Sequence, residues 1–113
     1  GSADKCAACV ALGARRAINY REEDFVDAIK AETGGEGVDV VLDMVGGDYV
    51  ARDLSIMRLE GRHVSIAFLA GPKAEISIVP IMLKRLTLTG STLRARTPAQ
   101  KGQVVDGLRE HVW

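Results

Sequence analysis

The stretch Val38–Gly47, VDVVLDMVGG, limits the possible folds more than any other part of the chain. Val40, Val41 and Leu42 form an unbroken apolar run, the pattern of a parallel strand covered on both faces. Asp43 and the Gly46-Gly47 pair then mark its carboxyl end. In open α/β sheets that is the end at which ligands bind. The segments on either side read as helices and strands built to flank or cover it.

Before this strand, residues 3–12 are rich in alanine and fit a short helix, with Ser2 as N-cap and Gly13 as stop. Residues 16–20 read as a short strand. Glu22, Glu23 and Asp24 put negative charge where a helix begins, which its dipole favours. Phe25, Val26 and Ile29 supply the buried stripe of that helix, and Gly34-Gly35 ends it. After the strand, Val50, Leu54 and Met57 recur at helical spacing and predict a helix over 48–57. Glu60-Gly61 reads as a turn into a strand over 62–68, and Gly71-Pro72 breaks the chain again. Residues 76–79 read as extended, 80–84 as one helical turn and 86–93 as an alternating strand. Thr97, Pro98 and Gln100 carry the signature of a capping box, opening a helix striped by Val104, Leu108 and Val112. This alternation predicts an α/β fold with a mostly parallel sheet.

Composition narrows the function classes. A length of 113 residues suffices for one domain with a core. The 15 basic and 15 acidic residues cancel, which argues against nucleic-acid and anionic-membrane partners. No apolar run reaches the length of a membrane span, and no signal-peptide pattern opens the chain. A cytoplasmic, reducing setting is therefore expected. The chain opens on a capping serine with no strand before it and closes inside a helical pattern, so a piece of a longer protein is expected.

Few residues invite chemistry. Cys6 and Cys9 form a C-x-x-C, but they sit in an alanine-rich helix, where cysteine acts as a small hydrophobe. A zinc site would need further ligands, and the only histidines are His63 and His111. His63 falls on a strand and reads as a packed residue; no serine has a nucleophile-elbow context. Neither a catalytic residue nor a metal set is assigned. Asp43 has two readings, contact with a cofactor or capping of the Gly46-Gly47 turn. Ser2 and Lys5 at a helix start would suit an anion, or else Lys5 is a solvated lysine.

Several pieces then line up in order: Gly1-Ser2-x-x-Lys5, Leu12-Gly13-Ala14, Ile18-Asn19-Tyr20, Glu23-Asp24-Phe25, Gly34-Gly35-x-Gly37-Val38-Asp39, Leu42-Asp43-x-Val45-Gly46-Gly47, Gly61-Arg62, Leu83-Lys84-Arg85 and Thr89-Gly90-Ser91-x-Leu93-Arg94. The set resembles the cofactor domain of zinc-independent quinone oxidoreductases, the ζ-crystallin-like branch of the medium-chain dehydrogenase/reductases. The resemblance implies that residues 1–113 form a partial Rossmann fold that holds NADPH, with the catalytic domain absent. It places Ser2, Lys5 and Tyr20 around the adenosine 2′-phosphate, Val45 and Gly46 near the ribose, and Phe68 and Leu69 near the nicotinamide. Leu93 and Arg94 fall in a segment bordering the same cleft. The parent reaction would pass hydride from NADPH to a quinone or an activated alkene; an enoyl-thioester or alkenal reductase is the alternative.

The departures from that family carry expectations of their own. No G-x-G-x-x-G turn occurs in this sequence, so the pyrophosphate lacks its usual cradle. The polypeptide alone is expected neither to reduce quinones nor to bind NADPH tightly. In the usual strand order the Val38–Asp43 strand would be left as an uncovered edge, and either the 16–20 strand or a second chain would pair with it. Self-association through sheet edges, as a dimer or higher oligomer, is expected. Two other classes stay open: a non-catalytic dimerising module, and a thiol redox protein using Cys6 and Cys9.

Overall fold

The computed structural model describes residues 1–113. Its elements run α1 (Ala3–Ala11), α2 (Phe25–Glu32), β1 (Val38–Asp43), α3 (Tyr49–Ser55), β2 (Met57–Ser65), α4 (Val79–Lys84), β3 (Thr87–Gly90) and α5 (Pro98–His111). The three strands are parallel and lie in the order β1-β2-β3. This is the predicted α/β architecture, a small parallel sheet with flanking helices.

Local chemistry explains the helix starts. Ser2 Oγ accepts the Lys5 N–H at 3.4 Å, and Asp24 Oδ1 accepts the Val26 and Asp27 N–H groups at 2.8 and 3.2 Å. Thr97 and Gln100 complete a reciprocal capping box, each side chain serving the other's backbone. Gly37 needs its φ of +86°, and a Cβ there would run into the Ile56 carbonyl, so only glycine lets the chain enter β1 this close to the end of α3.

The sheet has one covered face. Val41, His63 and Leu88 lie side by side in the ladder, on the side where α3 and α4 pack. Leu54, Met57 and Leu86 form the core there, with Val41, Ile76 and Ile81 packed against it. On the opposite face Leu42 aligns with Val64 and Thr89, and Val40 with Arg62 and Thr87. Val40 is 49% exposed and Leu42 65%. The expectation of a strand buried on both faces is therefore corrected: β1 is an outer strand, covered on one face and open along one edge. The core is correspondingly thin, with five buried apolar side chains.

Several segments differ from the sequence reading: residues 66–68 and 91–93 lie beyond the ends of β2 and β3, and Val79 opens α4 rather than extending. Residues 16–20 form no strand, because no ladder lies beside them; the Asn19 carbonyl instead accepts the Glu22 and Glu23 N–H groups at 2.9 and 3.1 Å and turns the chain. This segment therefore does not close the edge of β1. Met57 begins β2 rather than ending the helix stripe, and it is fully buried. The predicted Glu60-Gly61 turn lies inside β2, where Glu60 adopts φ +61° and the ladder with β1 shifts register between Val38 and Val40. Neither α1 nor α5 has a buried residue, so the stripe of Val104, Leu108 and Val112 stays largely in solvent.

Candidate functional site

Two places gather the residues singled out in the sequence. The first is the carboxyl end of β1 and β2. Asp43, buried, turns its carboxylate back on the loop that follows: Oδ1 accepts the Val45 N–H at 2.6 Å and the Gly46 N–H at 3.1 Å. Gly46 holds φ +67°, and a Cβ on it would come within 2.9 Å of the Gly71 carbonyl oxygen and 3.1 Å of the Phe68 Cα. The loop after β2 is stitched to the same place, with Leu69 N donating to Met44 O at 3.2 Å and Ala70 N to Val45 O at 2.7 Å. Val45, Gly46, Phe68 and Leu69 thus meet at one place. Phe68 is 65% exposed and Leu69 78%, an apolar shelf facing outward at the sheet's carboxyl end. Of the two readings of Asp43, the capping one is what the geometry shows.

Behind this turn lies a feature that sequence reasoning missed. His63 Nε2 is 3.2 Å from Asp53 Oδ2 and 3.8 Å from Asp43 Oδ2, all three residues being buried. Desolvation pushes the Asp53 carboxyl above its ordinary value, with the nearby Asp43 charge adding to it and the His63 hydrogen bond opposing. The trio ties α3 to β2 and to the end of β1. The available signal was that Asp53 precedes the core residue Leu54; nothing local tied it to His63.

The second place is an open cavity of ≈ 370 Å³ between α1 and the segment after it, lined by Gly1, Lys5, Cys6, Cys9, Arg16 and Tyr20 among others. A Cβ on Gly1 would sit 2.7 Å from Asn19 Oδ1 and 3.0 Å from the Tyr20 ring, so the two ends of this unit are closely apposed. Arg16 is committed to Glu23 at 2.6 Å and Glu32 at 3.6 Å, whereas Lys5 makes no ion pair. The structure therefore brings Lys5 and Tyr20 onto one wall, with Ser2 as the cap of the same helix turn. Leu93 and Arg94 lie apart from both places, in the exposed turn between β3 and α5.

A third group had no counterpart in the sequence reading. The Phe25 and Tyr49 rings stack at 5.3 Å, and the Arg52 guanidinium lies 4.3 Å from the first ring centre and 5.0 Å from the second. Arg52 also pairs with Asp24 at 2.6 Å. Asp24 is held below the usual carboxylate range, first by the Asp27 backbone hydrogen bond and then by those of Val26 and the Arg52 charge. With its cation already matched, this group reads as a clamp between α2 and α3.

Comparisons with known proteins bear on the family and the fold. A profile of the zinc-binding dehydrogenases matches residues 1–108. The chain is 37% identical over 90 residues to quinone oxidoreductase-like protein 2 of Mus musculus, covering 80% of this chain and 26% of that protein. The solved structure of Escherichia coli quinone oxidoreductase complexed with NADPH superposes with a TM-score of 0.79 at 31% identity, over 99% of this chain and 35% of that one. The nucleotide-binding subdomain of the enoylreductase domain of PpsC from Mycobacterium tuberculosis superposes with a TM-score of 0.81 at 27% identity, covering 99% of this chain and 64% of that one. The chain spans about a quarter of the length of the curated relatives it matches.

Proposed function

We propose a function on the premise that the chain belongs to the zinc-binding dehydrogenase family: it is cofactor-holding framework from an oxidoreductase that transfers hydride from NADPH to a quinone or an activated alkene. The observation that carries the reading is Lys5, a cation with no ion pair, set beside Tyr20 in an open cavity at one end of a nucleotide-binding fold. An ammonium and a phenol on one wall suit the 2′-phosphate that distinguishes NADPH from NADH. At the other end Val45 and Gly46 offer a rigid turn to the ribose, and Phe68 and Leu69 an apolar shelf to the nicotinamide, from which they exclude water. Leu93 and Arg94, in the exposed turn between β3 and α5, are set apart from both ends of this site.

When bound, the dinucleotide supplies the hydride; these residues bind and orient it. Zinc does not fit the residues present. Asp43, Asp53 and His63 have ligand atoms within 4.8 Å of one another, but the Asp43 oxygens already accept the Val45 and Gly46 amides and His63 Nε2 engages Asp53. A zinc-independent reaction is the reading the donor set favours.

The test is a titration of the chain with NADPH and NADH followed by backbone NMR. NADPH is expected to move the resonances of Ser2, Lys5 and Tyr20 at concentrations where NADH does not, and Lys5→Gln to erase that difference. Equal responses to both nucleotides would remove the 2′-phosphate reading. Binding is expected to be weaker than micromolar, because the sequence holds no glycine-rich pyrophosphate turn. The PpsC neighbour supports an enoyl-thioester reductase as the second reading of the parent reaction.

We also propose self-association through the open edge of β1 or that of β3. An unpaired edge beside Val40 and Leu42 is a template for another strand. Sedimentation as a monomer at high concentration would overturn this, leaving no support for a purely dimerising module. No helix is long and apolar enough to cross a membrane. Balanced charge and two free cysteines support a cytoplasmic setting.

A further inference from the structure

We infer that Cys6 and Cys9 form an oxidisable dithiol in the wall of the Lys5–Tyr20 cavity, and that joining their sulfurs reshapes that wall and weakens nucleotide binding; the last clause rests on the cofactor reading above. The sequence reads both cysteines as small hydrophobes of an alanine-rich helix. The structure places them otherwise: Cys6 is half-buried, Cys9 is exposed, both are free thiols, and both line the cavity with Lys5, Arg16 and Tyr20. Burial as a hydrophobe therefore accounts for neither, and an oxidant small enough to enter the cavity reaches both.

The spacing makes the two sulfurs partners. Cys6 and Cys9 lie three residues apart inside α1. Helix geometry sets their Cα atoms about 5 Å apart, within the range a disulfide spans. Their Cβ atoms, at about 5–6 Å, must close to roughly 4 Å. The turn between them has to tighten, and that turn begins next to Lys5. The Lys5 N–H reaches its cap, Ser2 Oγ, only at 3.4 Å, so the start of the helix is the part that yields. With no buried residue in α1, little packing resists the shift.

The oxidant is a peroxide. The Cys9 sulfur attacks one peroxide oxygen, the O–O bond breaks, and a sulfenic acid and one water result. The Cys6 sulfur then displaces the sulfenic hydroxyl, giving the disulfide and a second water. Two thiol hydrogens and two electrons leave the protein, and one hydrogen peroxide becomes two waters. A dithiol reductant reverses the net change.

The experiment treats the whole chain with hydrogen peroxide, alkylates the remaining thiols, maps the products by mass spectrometry and records NMR spectra before and after. A reducible Cys6–Cys9 disulfide is expected, together with shifts at Lys5 and Tyr20. Adenosine 2′,5′-bisphosphate should perturb the reduced chain at severalfold lower concentration than the oxidised one. In Cys6→Ala and in Cys9→Ala, each compared with its own untreated sample, peroxide should give no reducible intrachain disulfide and no change in the bisphosphate titration. Two free thiols after treatment, or arrest at sulfinic acid, would overturn the dithiol. A disulfide with unchanged Lys5 and Tyr20 resonances and unchanged titration would overturn the coupling. If the bisphosphate fails to perturb even the reduced chain, the cofactor reading falls and takes the binding clause with it, while the dithiol is judged on the disulfide and the shifts alone.

Discussion

The two ends of the proposed cofactor site are built in opposite ways. At the carboxyl end of β1, a buried histidine, two buried carboxylates and a glycine with positive φ fix the loop from several directions. At the α1 end, a helix with no buried residue leans on the segment after it, around an open cavity. The first is over-determined and should move little. The second depends on one long cap bond and on whatever fills the cavity. A sheet of three strands with a thin core places its rigidity where the loops of β1 and β2 meet and has little left for the outlying helices.

The contrast is most easily broken at His63. His63→Ala leaves Asp43 and Asp53 facing each other without their shared partner and opens a void in the sheet's covered face. Leaving a buried carboxyl without its hydrogen-bond partner costs about 1–3 kcal/mol and the void adds to that, a large part of the stability of a small domain. A urea titration followed by far-ultraviolet circular dichroism should show loss of cooperative unfolding or a much lower midpoint. A near-unchanged midpoint would mean that the rigid end is rigid for some other reason.

A smaller effect should appear in the pH dependence. The Asp53 carboxyl has a folded-state value above the unfolded one, so its contribution is present below the unfolded value, near 3.8, and is lost as pH rises through the folded value. Asp53→Asn keeps an acceptor for His63 but cannot ionise. The wild-type chain should therefore lose stability relative to this variant as pH climbs out of that acid window. Parallel curves for the two proteins would show that Asp53 is not desolvated as described.

The smallest effect belongs to the loose end. Ser2→Ala removes the α1 cap at a local cost of about 0.5–2 kcal/mol. Because α1 contributes nothing to the core, the global urea midpoint should hold while amide exchange quickens across Ala3–Ala11. A shift of the global midpoint would show that α1 unfolds together with the sheet, and would erase the distinction between the two ends.

What could be read in advance divides along the same line. The caps at Ser2 and Thr97 were legible because the donors and acceptors lie within three residues of each other, whereas Asp24 was read only as charge at a helix start and its capping role came with the structure. The strand at Val38–Asp43 was legible from its apolar run, and Asp43 from the glycines after it. Residues 16–20 were misread because a strand exists only where a neighbour offers a ladder, which no local pattern reports. Glu60-Gly61 was misread because a turn signature and an irregularity within a strand use the same residue types. The contact of His63 with Asp53 spans two elements and depends on the ladder register that sets His63 beside Val41. The candidate cofactor residues came from family resemblance rather than from spacing, and the fold then grouped most of them into two clusters.

The last helix has a practical consequence. Its Thr97 capping box holds it by its own end, its apolar stripe stays wet, and the chain's single tryptophan, Trp113, follows it at 83% exposure. Indole emission from this protein therefore starts out water-like and reports the fraying of one tail. A melting curve recorded by that emission would pass over the collapse of the sheet in silence.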